Sequence, residues 1–315
     1  MTTILSISVV VPVLNASSTI SDMLNALTNQ LGVPKDTEII VVDGGSTDGT
    51  QEIARNFSVR LLEERKPGPA AARNTGLRNA SGEVVAHLDA DTLPTRHWLS
   101  ALTAPFSDSS VVLTGGNTLS FAPETPAQRF IAESGLYAAQ NTISRKVFPF
   151  APSLNMAVRR NAALAIEGWS EEFMTGEDVD FSCRLLRKFP SEIVYVSNAV
   201  LLHRDRRTDE ELQTLAWTYG EGAAHMYLRY PEVLQWNLSN SIKLASRIAL
   251  RKAMPTIMRI GNVMGLTPYE KVEFAHYDRL WARWFWRGFF SMYRNKEYRK
   301  PRLEVRNVVP VKSGT

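Results

Sequence analysis

Over the first ninety residues, apolar β-branched runs alternate with polar turns and with stretches whose apolar positions recur at helical spacing. The pattern predicts strands at Ile7 to Val11, Glu38 to Val42 and Val84 to Leu88. The first two are near-continuous apolar runs of the kind a sheet buries on both faces. Helices are expected from Ser18 to Gln30, Thr50 to Phe57 and Ala70 to Ala80, the second following a Gly-Gly-Ser-Thr-Asp-Gly turn rich in capping side chains. Strand, turn and helix in repeated order predict an α/β fold with a mostly parallel sheet flanked by helices. Such sheets bind ligands outside the carboxyl ends of their strands. Pro12 and Asn15, Asp43, and Asp89 with Asp91 each follow directly after one of the three strands. Three separate turns are therefore expected to converge on one crevice.

Further along, the pattern loosens. From Val111 to Phe150 the chain reads as strands and loops with a helix at Ala127 to Gln140. A helix is expected from Gly176 to Phe189, a strand from Glu192 to Leu202 ending at His203, and mainly helix beyond Thr208. This predicts a catalytic domain over residues 1–208, split into a nucleotide-binding half (1–110) and an acceptor half (111–208), with a helical C-terminal region over 209–315.

Composition narrows the classes. With 44% hydrophobic and 22% charged residues in 315, the chain has the make-up of an ordinary globular protein with a substantial core. The net charge of +4 permits, without requiring, anionic partners. Cys183 is the only cysteine, which excludes an intramolecular disulfide and a cysteine-rich metal site and fits a reducing compartment. Residues 1–8 lack the basic start of a secretory signal. No window approaches the ~18–20 apolar residues of a spanning helix. The expectation is a cytoplasmic protein that meets a membrane, if at all, on the inner face of the cytoplasmic membrane.

Several side chains could carry chemistry. Asp89-Ala90-Asp91 puts two carboxylates close together at a strand end, a donor set suited to Mg2+ or Mn2+ bridging phosphate oxygens; taken alone, such triplets are often solvated turns. In the turn after the second strand, Asp43 is free of capping duty and suited to a base N–H, whereas Ser46, Thr47 and Asp48 read as turn and cap residues. Glu177 and Asp178 open a helix, where negative charge suits the dipole, and an adjacent carboxylate pair can also hold a general base. His203 suits a metal, a phosphate or a structural role, Arg73 a phosphate or base contact, and Cys183 a buried inert thiol. No G-x-G-x-x-G follows the first strand and no P-loop occurs, which disfavours dehydrogenases and P-loop enzymes.

In order along the chain, Val9-Val10-Val11-Pro12-Val13-Leu14-Asn15, Val41 to Asp48, Gly68 to Asn74, Gly82 to Asp91 and Gly176 to Phe181 resemble glycosyltransferase family 2, inverting enzymes of GT-A fold. The resemblance spans about residues 6–205. It implies that Pro12, Asn15, Asp43 and Arg73 serve the nucleotide, Asp89 the donor and Asp91 the metal, with His203 completing the metal site. It further implies that Asp178 is the catalytic base, supported by Glu177, and that Asn155 lies near the donor sugar. Many members carry Asp-Asp where this chain has Asp43-Gly44, so a base contact from the second carboxylate is missing here; the resemblance still puts uridine first as the base, with guanosine or thymidine as alternatives. The implied partners are a nucleotide-sugar donor and a glycan or lipid-linked acceptor in polysaccharide or glycolipid synthesis. Rival readings are a sugar-1-phosphate nucleotidyltransferase and a non-catalytic, membrane-associated sugar-nucleotide-binding protein.

Between Arg279 and Arg302, Trp281, Trp284, Phe285 and Phe289 share one helical side while Arg279, Arg283 and Arg287 share another. Three readings stand: contact with an anionic membrane surface, a helix packed on the catalytic domain with a solvated basic edge, or a face used for self-association. A nucleic-acid role is disfavoured, because the basic residues keep company with bulky apolar ones.

Overall fold

The computed structural model describes residues 5–231 and 238–295, with the side chains of 238–245 excepted. Its contacts divide into two compact units. Of the described residues, the first comprises those up to Leu119 together with Tyr137–His203, and the second Ser120–Leu136 with those from Arg204 to Asn295.

In chain order, the first unit begins β1 (Ile7–Val13), α1 (Ile20–Thr28), β2 (Glu38–Asp43), α2 (Thr50–Ala54), β3 (Arg60–Glu63), α3 (Pro69–Asn79) and β4 (Val84–Leu88). Then come β5 (Thr92–Pro94), α4 (Trp98–Thr103) and β6 (Leu113–Ser120). Helix α5 (Pro126–Ser134) belongs to the second unit. The first resumes with α6 (Ala139–Ile143), β7 (Asn155–Arg159), α7 (Arg160–Ala165), α8 (Glu177–Lys188) and β8 (Val194–His203). The second closes with α9 (Asp209–Arg229), α10 (Leu238–Val263) and α11 (Tyr269–Arg294).

All eight strands form one sheet in the order β3-β2-β1-β4-β7-β6-β8-β5. The half built from the early repeats is parallel, with Val13 beside Asp43 and Val10 beside His87, so β1, β2 and β4 end on the same edge. Antiparallel pairing begins at β7, where Leu88 lies beside Asn155. Residues of both parities are buried in β1: Val10 packs with Val42, Val85, Met156, Val158 and side chains of α3, α7 and α8, and Val9 and Val11 are fully covered as well. Burial on both faces is the physical reason for the unbroken apolar runs.

The predicted helix at Ala127 to Gln140 is two helices. Gly135 takes the left-handed conformation (φ 64°) at the end of α5, which stops it before α6. Gly116 in β6 has another reason to be glycine, since a Cβ there would lie 2.3 Å from Asn155 Oδ1 and 2.5 Å from the Ala199 carbonyl oxygen. Gly116→Ala is expected to lower stability by about 1–3 kcal/mol, the usual cost of overpacking. Urea unfolding checks this, and an unchanged midpoint would refute it.

In the second unit, α9 and α11 meet with their backbones nearly touching. A Cβ on Gly220 would sit 2.0 Å from the Phe285 carbonyl oxygen, and one on Gly288 2.1 Å from that of Trp217. Around this crossing Trp284 packs on Trp217, Trp281 on Tyr219 and Phe130, and Phe289 on Tyr227. The aromatic side of residues 279–294 is thus largely the interior of this unit, while Arg279, Arg283 and Arg287 stay exposed. Residues 296–302 of that predicted stretch lie outside the described residues.

Candidate active site

The ends of β1 and β2 are laced together. Asn15 sits at φ 50° and is held there because its N–H donates to Ser46 Oγ (2.8 Å) and its Oδ1 accepts from the Thr47 N–H (3.0 Å). Asp48 accepts from the Ser17 N–H (2.9 Å). Pro12, half-buried, lies beside Val42 in the same register. Asp43 is fully buried, and the structure corrects the expectation that it has no turn to hold. Its Oδ2 accepts from the N–H groups of Gly45 and Ser46 (3.0 Å each) and from Gln51 Nε2 (2.8 Å). Burial alone would raise its pKa, but hydrogen bonds from Ser46, Gln51 and Gly45 outweigh that and hold it below the usual value. Oδ1 is buried without a hydrogen-bond partner, leaving one acceptor of this carboxylate unspent.

Arg73, on α3, is the hub. Only 2% exposed, it donates through Nη1 to Glu177 Oε1 and through Nη2 to Asp89 Oδ1, both at 2.8 Å. Its guanidinium lies 5.1 Å from the centroid of the Trp169 ring, which in turn stacks on Phe181 at 4.2 Å. Asn74 fixes Trp169 by accepting from its N–H (2.8 Å) and donating to its carbonyl (2.9 Å). Fully buried His87 meets the edge of the same indole. Burial and the Arg73 charge push its pKa down to about 3, so it stays neutral.

Glu177 and Asp178 begin α8 after Gly176 at φ 85°. Burial pushes the Glu177 carboxyl above its ordinary range, against the opposing charge of Arg73. Asp178 is half-buried and accepts from the N–H groups of Ser153 (3.4 Å) and Val179 (2.8 Å). Burial first, then the Glu177 charge, raise it from 3.8 to about 7. Residues titrating near neutrality in a cleft are the ones suited to proton transfer.

Asp91 lies beyond Asp89, with Oδ2 3.7 Å from Nε2 of His203, which is 3% exposed at the end of β8. The register of β5 against β8, Thr92 beside His203, makes this approach. Among the described residues no group of three or more His, Cys, Asp or Glu is arranged to hold a metal. Asp91 and His203 supply an oxygen and a nitrogen, a donor pair that fits a divalent cation completed by phosphate oxygens and water.

Asn155 departs from expectation. It is fully buried: Oδ1 accepts from Trp98 Nε1 (2.8 Å), and Nδ2 donates to Asn117 O (3.0 Å) and Thr118 Oγ1 (3.2 Å). Its side chain joins strands, with nothing left over for a donor sugar. Cys183 is buried, as expected. Trp169 and His87, both central here, carry no motif that would single them out; the only signal is a histidine in an otherwise apolar strand.

The sequence matches the family model described as glycosyl transferase family 2 over residues 8–166, half of the chain. The chain belongs to glycosyl transferase family 2. It is 34% identical to glycosyltransferase AglE of Haloferax volcanii over 186 residues, covering 56% of this chain and 60% of that one. It is 29% identical to the pre-mycofactocin glycosyltransferase of Mycobacterium tuberculosis over 235 residues, 72% of this chain and 48% of that one. The chain thus spans about half to three-fifths of these relatives. The fold is GT-A: a mannosyltransferase from Pyrobaculum calidifontis, solved with GDP-Man and Mn2+, superposes with TM-score 0.62 at 19% identity over 89% of this chain and 86% of that one. Residues 1–349 of S. aureus TarS, solved with UDP-GlcNAc, give TM-score 0.51 at 17% identity over 93% and 91%.

Proposed function

We propose that this chain is a metal-dependent inverting glycosyltransferase that moves a sugar from a nucleoside-diphosphate donor to a hydroxyl of a glycan or lipid-linked acceptor. One observation carries this: Asp178, raised to about 7, stands beside Glu177, which is tied through Arg73 to Asp89 of the Asp-Ala-Asp triplet. That chain of contacts links a candidate base to the candidate donor site. Asp178 takes the proton from the acceptor hydroxyl as that oxygen bonds to the anomeric carbon and the bond from that carbon to the diphosphate oxygen breaks. A single displacement of this kind inverts the anomeric centre. Asp91 and His203 would hold Mn2+ or Mg2+, which when bound offsets charge on the departing diphosphate. Pro12, Asn15 and Asp43 would flank the base, Asp43 offering its unspent Oδ1 to a base N–H.

A UDP-sugar is favoured. Solved proteins of this fold carry UDP-GlcNAc or GDP-Man, and both are nucleoside-diphosphate sugars. The reading against a nucleotidyltransferase rests on the end of β1 and the turn after it, Pro12-Val13-Leu14-Asn15, which lack the basic glycine-rich loop a triphosphate needs. Family members that only bind sugar nucleotides would have no use for a carboxyl held near neutrality. The test is calorimetry with a panel of sugar nucleotides and Mn2+. The parent should bind one of them in a metal-dependent way, and Asp91→Ala should weaken that binding by about ten- to a hundredfold. Binding of every sugar nucleotide that is indifferent to both metal and Asp91 would overturn the metal assignment.

A further inference from the structure

One face of α10 and the turn after it is apolar, ordered and uncovered. Leu250, Ala253, Ile257, Ile260 and Met264 recur at alternating steps of three and four residues, the spacing of a single helical stripe, and all are exposed. The stripe runs into a turn where Val263 is 88% and Leu266 75% exposed, with Tyr269 following at 65%. This is not a frayed helix end. The Leu266 N–H donates to the Gly261 carbonyl (2.8 Å), Asn262 Nδ2 donates to the Thr267 carbonyl (2.8 Å), and Gly265 at φ 71° lets the chain reverse into α11. The opposite side of α10 is the packed one: Pro255 is buried, Ile248 and Met258 are partly covered, and Arg251 pairs with Asp278 of α11 at 2.9 Å.

Charge decides what could cover the open face. From Leu238 to Tyr269 the chain carries Lys243, Arg247, Arg251, Lys252 and Arg259 and no acidic residue. Arg247, Lys252 and Arg259 are exposed. A second copy docked through the same face would set cations against cations, which is unfavourable across an interface. An anionic lipid surface neutralises them, and each basic residue near it adds to the attraction. Ordered apolar side chains at a helix turn, flanked by cations, are what interfacial helices sink into the boundary between headgroups and acyl chains. No helix among the described residues is long and apolar enough to cross a bilayer, so this contact is with the surface.

We propose that the outer face of α10 and the 263–266 turn dock on an anionic bilayer, with Val263, Met264 and Leu266 entering it and Arg247, Lys252 and Arg259 meeting lipid phosphates. This surface is distinct from the aromatic side of α11 and is independent of the transferase reading.

The experiment is co-sedimentation of the full chain, without donor, with phosphatidylcholine vesicles containing or lacking phosphatidylglycerol. The parent should partition onto the anionic vesicles. The triple variant Ile257→Asp, Ile260→Asp, Leu266→Asp should lose about tenfold or more of that partitioning, and Arg247→Glu, Lys252→Glu, Arg259→Glu should abolish the preference for anionic lipid. An unchanged unfolding midpoint certifies the fold of each variant; should the triple variant unfold, Leu266→Asp alone gives the same readout from a fully exposed turn position. Equal sedimentation of parent and variants overturns the proposal. So does a parent that ignores vesicles, whether it stays monomeric or forms a dimer that the triple variant dissociates. Either failure leaves donor binding, measured separately, untouched.

Discussion

Replacing Asp178 with Asn should cut sugar transfer by about a hundred- to ten-thousandfold, the usual contribution of a positioned general base, while leaving donor affinity within about twofold, since the substitution keeps the shape of the side chain, gives up the longer of its two backbone N–H contacts, that from Ser153, and removes its ability to accept a proton. The parent's pH profile should carry the signature of the same group. Asp178 titrates at about 7, and as pH falls through that value the carboxyl takes up a proton and can no longer accept one, so log rate should drop with unit slope below neutrality. The residual activity of Asp178→Asn should show no such limb. A stability effect follows with opposite consequence. Because the folded pKa is raised from 3.8 to about 7, the native state holds a proton that the unfolded chain releases across that window. Native stability is therefore penalised progressively as pH rises through it, and the penalty is complete above 7. Asn is neutral throughout, so Asp178→Asn should gain stability over the parent at pH 8 and little at pH 4, with roughly 4 kcal/mol as the ceiling. Calorimetry with the sugar nucleotide, initial rates against pH, and urea unfolding at the two pH values together check the assignment. Transfer within about twofold of the parent, or a limb that survives the substitution, would sink it.

The parallel half of the sheet was legible because burial on both faces leaves a mark on composition. Val9, Val10 and Val11 are all apolar since neither face of β1 sees water. The remaining strands carry weaker marks. Residues Asn155–Arg159 of β7 put a polar residue at each end of a short run, and β5 has three residues. Nothing local reveals that β7 runs antiparallel to β4, because direction is set by the long connections that precede it. At the site, residue types at strand ends pointed to Asp43, Asp89, Asp91 and His203, but not to what each one touches. Asp43 read as free of turn duty and yet holds a turn, since a carboxylate at a strand end finds the next backbone N–H groups two and three residues on. Asn155 read as a donor contact because neighbouring residues resemble the family, but a side chain in a fully covered strand must spend its polar groups on the protein. The aromatic run in α11 shows the same limit of periodicity. Spacing shows that Trp281, Trp284 and Phe289 share a side, but only the close approach at Gly220 and Gly288 reveals that this side is filled by α9.

Arg73 could be singled out in the sequence but its role as a hub could not, since its partners lie 16 and 104 residues away, and its removal should have the largest effect on folding. The Arg73–Glu177 pair is dry, with side chains 3% and 9% exposed, whereas Asp89 keeps a third of its side chain in water. Losing the cation therefore costs little at Asp89, which water can solvate, and a great deal at Glu177, which it cannot. Arg73→Met should lower stability by about 3–5 kcal/mol, the range for stripping one partner from a buried pair. If the cost is an uncompensated charge rather than lost packing against Trp169, it should vanish when the charge goes too. Arg73→Met combined with Glu177→Leu should then recover most of the stability, because a buried pair exchanged for apolar side chains of similar volume is often neutral or better. Transfer should not recover with it, since Asp89 would have lost its anchor and Asp178 its charged neighbours. Urea unfolding of the single and double variants measures the coupling, and rates on the refolded double variant separate the two roles. Near-parental stability of Arg73→Met would show that solvent reaches Glu177 after all, whereas a double variant as unstable as the single one would assign the cost to packing on Trp169.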